Sequence, residues 1–392
     1  MKVRRTWVAL LLILAACLDG SAVEPALDPT SDPVLAAIWT ILLTDSAGHV
    51  WLLQSDTAFQ AEPVSPHMPV AATLWTALDS TPALRGLALD LRMGDGRVTW
   101  SASQRDGSLM TGTGSVMRIG QVPVFRGPVS MAGLGAGARF SAFAGVPFPT
   151  EPLVQRAPAE HVQLDAPAVL SLRADDCPSQ DVATLALLRE LRLRAEFAVP
   201  ARLVGQPPNC PRSFIPEVLR AGSVVESHSR FHGGPPADFT GFYLETVGSA
   251  QDLRRFGADP RIFIQPGTWT SGPAMFDASA KLATPYGALL RRVYSGVEAY
   301  VPRSSVASLP ASGWTGPAPN VLSHLPPAEV DSLIRDAAAR HGWIEFMWHS
   351  AAQPLEAIAP QLRVIAALRD SGLIDVMPFA EVQGAIPEAH LP

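Results

Sequence analysis

The chain has 392 residues, enough for two domains. A hydrophobic fraction of 47% with 17% charged residues excludes a disordered chain. The net charge of −6 and a pI near 5.9 give no reason to expect a nucleic-acid partner.

The first residues read as a targeting segment. Lys2, Arg4 and Arg5 precede a short apolar core, Val8 to Leu14. That core is too short to span a bilayer. It ends in Leu14-Ala15-Ala16-Cys17, which resembles the bacterial lipobox, where the cysteine is acylated and becomes the first mature residue. The resemblance implies a signal segment over 1–17, lipidation at Cys17 and a membrane partner reached through a lipid anchor. Ordinary secretory cleavage, with Cys17 as a passenger, is the alternative. Leu18, not Asp, follows the cysteine. By the same resemblance this favours the outer membrane and periplasm of a bacterial cell envelope over inner-membrane retention. A Pro/Asp/Ser-rich tether fills 18–33.

Residues 34–150 read as a smaller β-rich domain. The run Val34 to Leu43 is apolar throughout, so periodicity does not choose between a buried helix and a strand. Arg97 to Ser103 alternates, Arg105 to Ser108 is a turn, and Leu109 to Ile119 is a second strand, together a hairpin. Gln121 to Met131 and Ala138 to Ala144 add strands, and a sandwich is the expected arrangement. His49 and His67 stand alone, and no catalytic constellation appears here. A Pro-rich linker over 151–164 follows.

From 165 to 388 strands and helices alternate, the pattern of an α/β fold with a parallel sheet, open or closed. Strands are expected at Val169 to Ala174, Ala195 to Val199, Val224 to Ser227, Arg261 to Gln265, Trp343 to Trp348 and Leu373 to Met377. Helices are expected from Val182 to Leu191, Pro216 to Arg220, Leu253 to Gly257, Asp331 to Arg340 and Pro354 to Asp370, the last kinked or restarted at Pro360. Sites in such folds lie at the carboxyl ends of the strands. Asp175 and Asp176 end the first strand, just before Cys177-Pro178. Asp-Asp before Pro is also a common turn sequence. His228-Ser-Arg-Phe-His232 follows the third strand, Gln265-Pro-Gly-Thr-Trp269 follows a later one, and His349 ends another. Two histidines and a carboxylate are a frequent zinc or iron set with open positions for water. The i, i+4 spacing places both imidazoles on one side of a helical turn. The plainer reading of His228 and His232 is two polar loop residues near Arg230.

These pieces, in this order, resemble the polysaccharide deacetylase family, also called the NodB-homology domain or carbohydrate esterase family four. The family opens with Thr-Phe-Asp-Asp-Gly-Pro, and here the stretch is Arg173-Ala-Asp-Asp-Cys-Pro178. A following strand resembles Arg194-Ala-Glu-Phe-Ala-Val-Pro200. The motif His-(Ser/Thr)-x-x-His is matched in full by His228 to His232, and the late Leu-His motif corresponds to Trp348-His349. The resemblance implies a distorted (β/α) barrel of about seven strands. It implies Asp175 as base and His349 as acid. Asp176, His228 and His232 become ligands of a divalent metal, with zinc the expected ion. Pro266, Trp269 and Trp348 are candidates for substrate contact, and Trp314 for stacking on a sugar, with core packing the commoner use of tryptophan.

Two departures stand out. Cys177 replaces a glycine, and the third-motif region Phe263 to Trp269 lacks the family's arginine that holds the catalytic aspartate. Arg173, two residues before Asp175 on the same strand face, either substitutes for it or simply packs or meets solvent. With Cys17 acylated, Cys177 and Cys210 remain, on loops after the first and second strands. They either pair, as an oxidising periplasm allows, or stay as free thiols. The expected activity is hydrolysis of N-acetyl groups on an acetylated cell-envelope or extracellular polysaccharide. The alternatives are a carbohydrate-binding or assembly lipoprotein that lost turnover, and an O-acetyl esterase using the same site.

Overall fold

A computed structural model describes residues 37–59, 69–76, 82–104, 107, 109–131, 137–149, 166–272, 274–276, 281, 283–298, 304–308 and 316–383. Cys17, the 18–33 tether, His67, the 151–164 linker and Trp314 lie outside the described residues, as does most of the Arg105 to Ser108 turn.

The first domain contains β1 (Trp39–Thr44), β2 (Val50–Ser55), β3 (Val70–Thr76), β4 (Pro82–Gly94), β5 (Arg97–Ser103), β6 (Leu109–Ile119), β7 (Val122–Ser130) and β8 (Arg139–Ala144). Each pairs antiparallel with the next, and β8 returns to β1, so the sheet is a closed barrel. The expected sandwich is thereby corrected. Sandwich and barrel share the same inward–outward alternation, and only the pairing of the domain's two ends separates them. β1 also explains its own ambiguous pattern, because it is buried on both faces. Trp39, Ile41 and Leu43 point inward beside Trp100 and Phe140. Leu42 points outward, into a cluster with Phe242 and Tyr243 of the second domain. Tyr243 also donates its hydroxyl to the Val146 carbonyl at 3.1 Å.

The second domain runs β9 (Ala168–Asp175), α1 (Asp181–Glu190), β10 (Glu196–Val199), α2 (Phe214–Arg220), β11 (Val224–Ser227), α3 (Phe239–Arg255), β12 (Ile262–Ile264), α4 (Pro285–Val293), β13 (Gly296–Glu298), β14 (Val306–Ser308), β15 (Asn320–Val321), α5 (Pro327–Ala339), β16 (Gly342–Trp348), α6 (Leu355–Asp370), β17 (Ile374–Val376) and α7 (Phe379–Gln383). The sheet order is β13-β12-β11-β10-β9-β16-β14, with β15 joined to β16 and β17 to β9. All pairs are parallel except β14 with β16. Among the described residues β13 and β14 do not meet. The expected distorted (β/α) barrel of about seven strands is present as a half-barrel: the mixed α/β domain keeps the parallel sheet, which stays open and has nine strands.

Two helices depart from expectation. The short helix expected at Leu253 to Gly257 is the end of α3, which begins at Phe239 with Asp238 as N-cap, its carboxylate accepting the Gly241 N–H. Most of α3 is buried whatever its facing, so its polar and small residues do not trace an amphipathic stripe. α6 continues through Pro360 without a restart.

Strand parity sets the chemistry. On β9 the residues Leu170, Leu172 and Ala174 face the helices and join Phe197, Phe346 and Trp348 in an apolar core. The opposite face carries Ser171, Arg173 and Asp175. Glu196, Glu226, Glu298 and Glu345 are likewise buried in the second domain's strands. Buried charges persist only with partners, and Arg173 is the partner for several of these.

Candidate metal centre and active site

Adjacent strand residues normally point apart, yet Asp175 and Asp176 reach one pocket. The cause is the backbone: Asp176 has φ +76 and Cys177 φ +49. Two left-handed residues in succession swing the chain around at the strand's end. Glycine takes this conformation freely and cysteine does not. Here Cys177 is tied down instead, by a disulfide to Cys210 and by the Cys210 N–H donating to its carbonyl at 2.7 Å. Of the backbone donors around Cys177 to Ser179, Pro178 has no N–H and the Ser179 N–H is given to the Pro208 carbonyl.

The segment His228 to His232 is an irregular loop, which corrects the expected helical turn. Its imidazoles converge because Ser229 (φ +67) and His232 (φ +55) are left-handed. The ring centroids lie 4.9 Å apart. Ser229 Oγ accepts the His232 N–H at 3.0 Å. From α3, Glu245 accepts the N–H groups of Arg230 (2.8 Å) and Phe231 (3.0 Å). Arg230 Nε is paired with Asp252 at 2.8 Å. Glu245 and Asp252 hold the loop from outside, and the sequence pattern missed both with the rest of α3. The available signal was Asp238 as an N-cap ahead of the apolar residues Phe239 and Phe242.

Asp176, His228 and His232 each offer a ligand atom, and these atoms lie within 4.8 Å of one another. Nε2 of His228 is 3.3 Å, and Nε2 of His232 3.0 Å, from Asp176 Oδ1. His228 donates Nδ1–H to the Ile264 carbonyl at 3.0 Å, which leaves Nε2 of the neutral ring as a lone pair facing a carboxylate oxygen. Asp176 Oδ1 is buried and has no hydrogen-bond partner. A lone pair turned toward an orphaned anionic oxygen, with a second imidazole beside them, fits a divalent cation. Burial alone would raise the Asp176 carboxyl; protonated His228 and His232 rings facing it would hold it well below the usual carboxylate range. Burial would lower the His232 imidazole, and the Asp176 carboxylate beside it raises it instead.

Arg173 is buried and grips Asp175. Its Nη2 donates to Asp175 Oδ2 at 3.3 Å, and Nε lies 2.8 Å from Oδ1 without hydrogen-bonding alignment. Nη1 pairs with Glu345 at 3.0 Å and contacts Glu298. Burial weakens the guanidinium's hold on its proton, and the Asp175, Glu345 and Glu196 carboxylates more than offset that. Nε2 of His349 is 3.8 Å from Asp175 and 4.0 Å from Asp176. Its backbone N–H donates to Gln353 Oε1. Behind it, Ser350 donates to Asp181, a carboxyl that burial pushes up to about 8.

Thus Asp175, Asp176, His228, His232 and His349 share one mouth. The expected sugar contacts do not: Trp269 and Trp348 are both 0% exposed, and Pro266 is buried. Trp348 follows the parity of Ala174 and packs under the helices, on the face away from Arg173. The exposed residues of that rim are Gly267 and Thr268.

No protein-family model matches the sequence, and no curated protein matches it. Several solved structures are similar. A family 4 carbohydrate esterase from Streptomyces lividans is 18% identical, over 54% of this chain and 91% of its own, with a TM-score of 0.36. The catalytic domain of a peptidoglycan N-acetylglucosamine deacetylase from Eubacterium rectale is 16% identical, over 58% and 93%, with a TM-score of 0.37. A family 4 carbohydrate esterase from Bacillus anthracis is 13% identical, over 55% and 83%, with a TM-score of 0.37. The solved structures this chain is similar to thus include family 4 carbohydrate esterases and a peptidoglycan deacetylase.

Proposed function

We propose that the second domain is a metal-dependent hydrolase that removes N-acetyl groups from a cell-envelope or extracellular polysaccharide. One observation carries the reading: an orphaned Asp176 oxygen faces two imidazole nitrogens, beside a second carboxylate gripped by a buried arginine. Asp176, His228 and His232 would hold the ion, with zinc as the proposed metal. A divalent ion bound there would polarise the acetyl carbonyl and acidify water. Asp175 accepts the proton of the water whose oxygen attacks the carbonyl carbon. Arg173 keeps the Asp175 carboxylate in one orientation. As the C–N bond breaks, His349 gives a proton to the departing amine nitrogen, and acetate and a free amino sugar remain. On that loop the backbone N–H of Cys177 is the candidate donor for the developing oxyanion.

The lost-turnover alternative rests on the missing third-motif arginine. Arg173, reaching Asp175 from β9, weighs against it. O-acetyl ester hydrolysis needs the same groups, but its alcohol leaves more readily without His349. Acetate release by zinc-loaded protein from N-acetylated and O-acetylated glycans separates the readings, and no release from either contradicts both. We further propose that Cys17 is acylated and holds the chain at the outer membrane. Labelling with a fatty acid that persists in Cys17→Ala would oppose this.

A further inference from the structure

The barrel domain reaches the metal loop. β6 and β7 form a hairpin whose register pairs Ser115 with Arg126, Met117 with Val124 and Ile119 with Val122. Cross-strand partners and alternate residues share a face, so these six side chains lie together. That face is turned toward the second domain. Val124 is buried in the cluster with Phe242 and Tyr243, and Ile119 and Val122 pack on it. Arg126 forms a two-pronged pair with Asp238, at 2.6 and 3.0 Å, next to the start of α3. The tip is seated against the metal loop itself. Gly120 has φ +57, and a Cβ there would lie 2.8 Å from the Phe231 ring, one residue from the ligand His232.

Beyond His232 the loop is bare. Gly233 and Gly234 are exposed, and nothing lies within 4 Å of a Cβ added to either. The Thr268 hydroxyl holds the Gly233 carbonyl at 2.7 Å. The described residues have four exposed large apolar side chains, Val116, Met117, Val182 and Leu219, and two of them are neighbours on this hairpin. Met117, 41% exposed, is the one on the domain-facing side. It stands three residues from Gly120, roughly 10 Å along the strand.

We propose that the β6–β7 hairpin is a second wall of the substrate groove, with Met117 contacting sugars of the glycan beyond the one at the metal centre. This rests on the proposed polysaccharide substrate. Exposed glycines follow His232, the hairpin tip abuts Phe231 just before it, and a thioether-bearing side chain is adaptable enough to meet the apolar face of a sugar ring. The barrel then selects for chain length, which the metal centre alone does not do.

The test compares Met117→Asp with Leu219→Asp, a like substitution on α2, using N-acetylated oligosaccharides of two and six sugars. Met117→Asp should lower the six-to-two ratio of kcat/KM by about fivefold, through KM. Leu219→Asp should leave that ratio as in the wild type. An unchanged ratio in Met117→Asp overturns the proposal. Native-gel retardation by the soluble acetylated glycan gives a reading independent of turnover. If the wild type releases no acetate, the hydrolase reading fails, yet retardation that weakens in Met117→Asp alone still supports the hairpin surface. Equal retardation of wild type and Met117→Asp in that gel overturns it.

Discussion

Arg173 and Asp175 lie on the same face of one strand, two residues apart, and the guanidinium of the first is the buried partner of the second's carboxylate. On the proposed mechanism, the orienting charge that the family resemblance places in the third-motif region would come instead from the strand that carries the proposed base, Asp175. Glu345 and Glu298 hold Arg173 from the other side, so the pair is fixed before substrate arrives.

Replacing Arg173 should therefore act on turnover. Arg173→Lys keeps a charge but loses the fork. We expect kcat to fall roughly tenfold to a hundredfold from misplacement of the base, with KM and metal content near wild type. Arg173→Ala strands buried carboxylates and should cost roughly 3–5 kcal/mol of stability. Steady-state kinetics with elemental analysis checks this, and wild-type kcat in Arg173→Lys would reduce Arg173 to a packing residue.

Asp181 gives a pH signature. Burial raises its carboxyl to about 8 in the folded protein, whereas an unfolded aspartate titrates near 3.9. Between those values the folded state holds a proton that the unfolded chain has released, so stability falls as pH rises through that window. Asp181→Asn keeps an acceptor for Ser350 and removes the titration. Melting temperatures at pH 5 and pH 8 should differ less in the variant than in the wild type. An equal drop in both would place the titrating group elsewhere.

The Cys177–Cys210 bond closes a loop across a sequence separation of 33 and braces the turn that carries both aspartates. Removing it as Cys177→Ser should cost about 3 kcal/mol and lower metal occupancy, since Asp176 sits next to it. Alkylation before and after reduction, read by mass spectrometry, should find no free Cys177 or Cys210 thiol in protein from an oxidising compartment.

The site was more legible in the sequence than its surroundings. The Asp175-Asp176 pair, His228 and His232 at fixed spacing, and His349 at a strand end could be singled out because each closes a strand in a strand–helix alternation. The partners of Arg173 could not, since Glu298 and Glu345 come from strands far along the chain and meet it only in the folded sheet. Barrel closure was hidden for the same reason: β1 and β8 are the two ends of a domain. Exposure was also hidden. Trp269 and Trp348 carry the chemistry of sugar platforms, but strand parity and core packing place both inside.

The most direct test of the metal-assisted mechanism is the contrast between Asp175→Asn and Asp176→Asn, read as metal content and acetate release from an N-acetylated glycan. The wild type should hold about one divalent ion per chain. Asp176→Asn should lose metal and activity together. Asp175→Asn should keep the metal and lose activity by roughly a hundredfold or more. Full activity in Asp175→Asn, or undiminished metal in Asp176→Asn, would contradict the account.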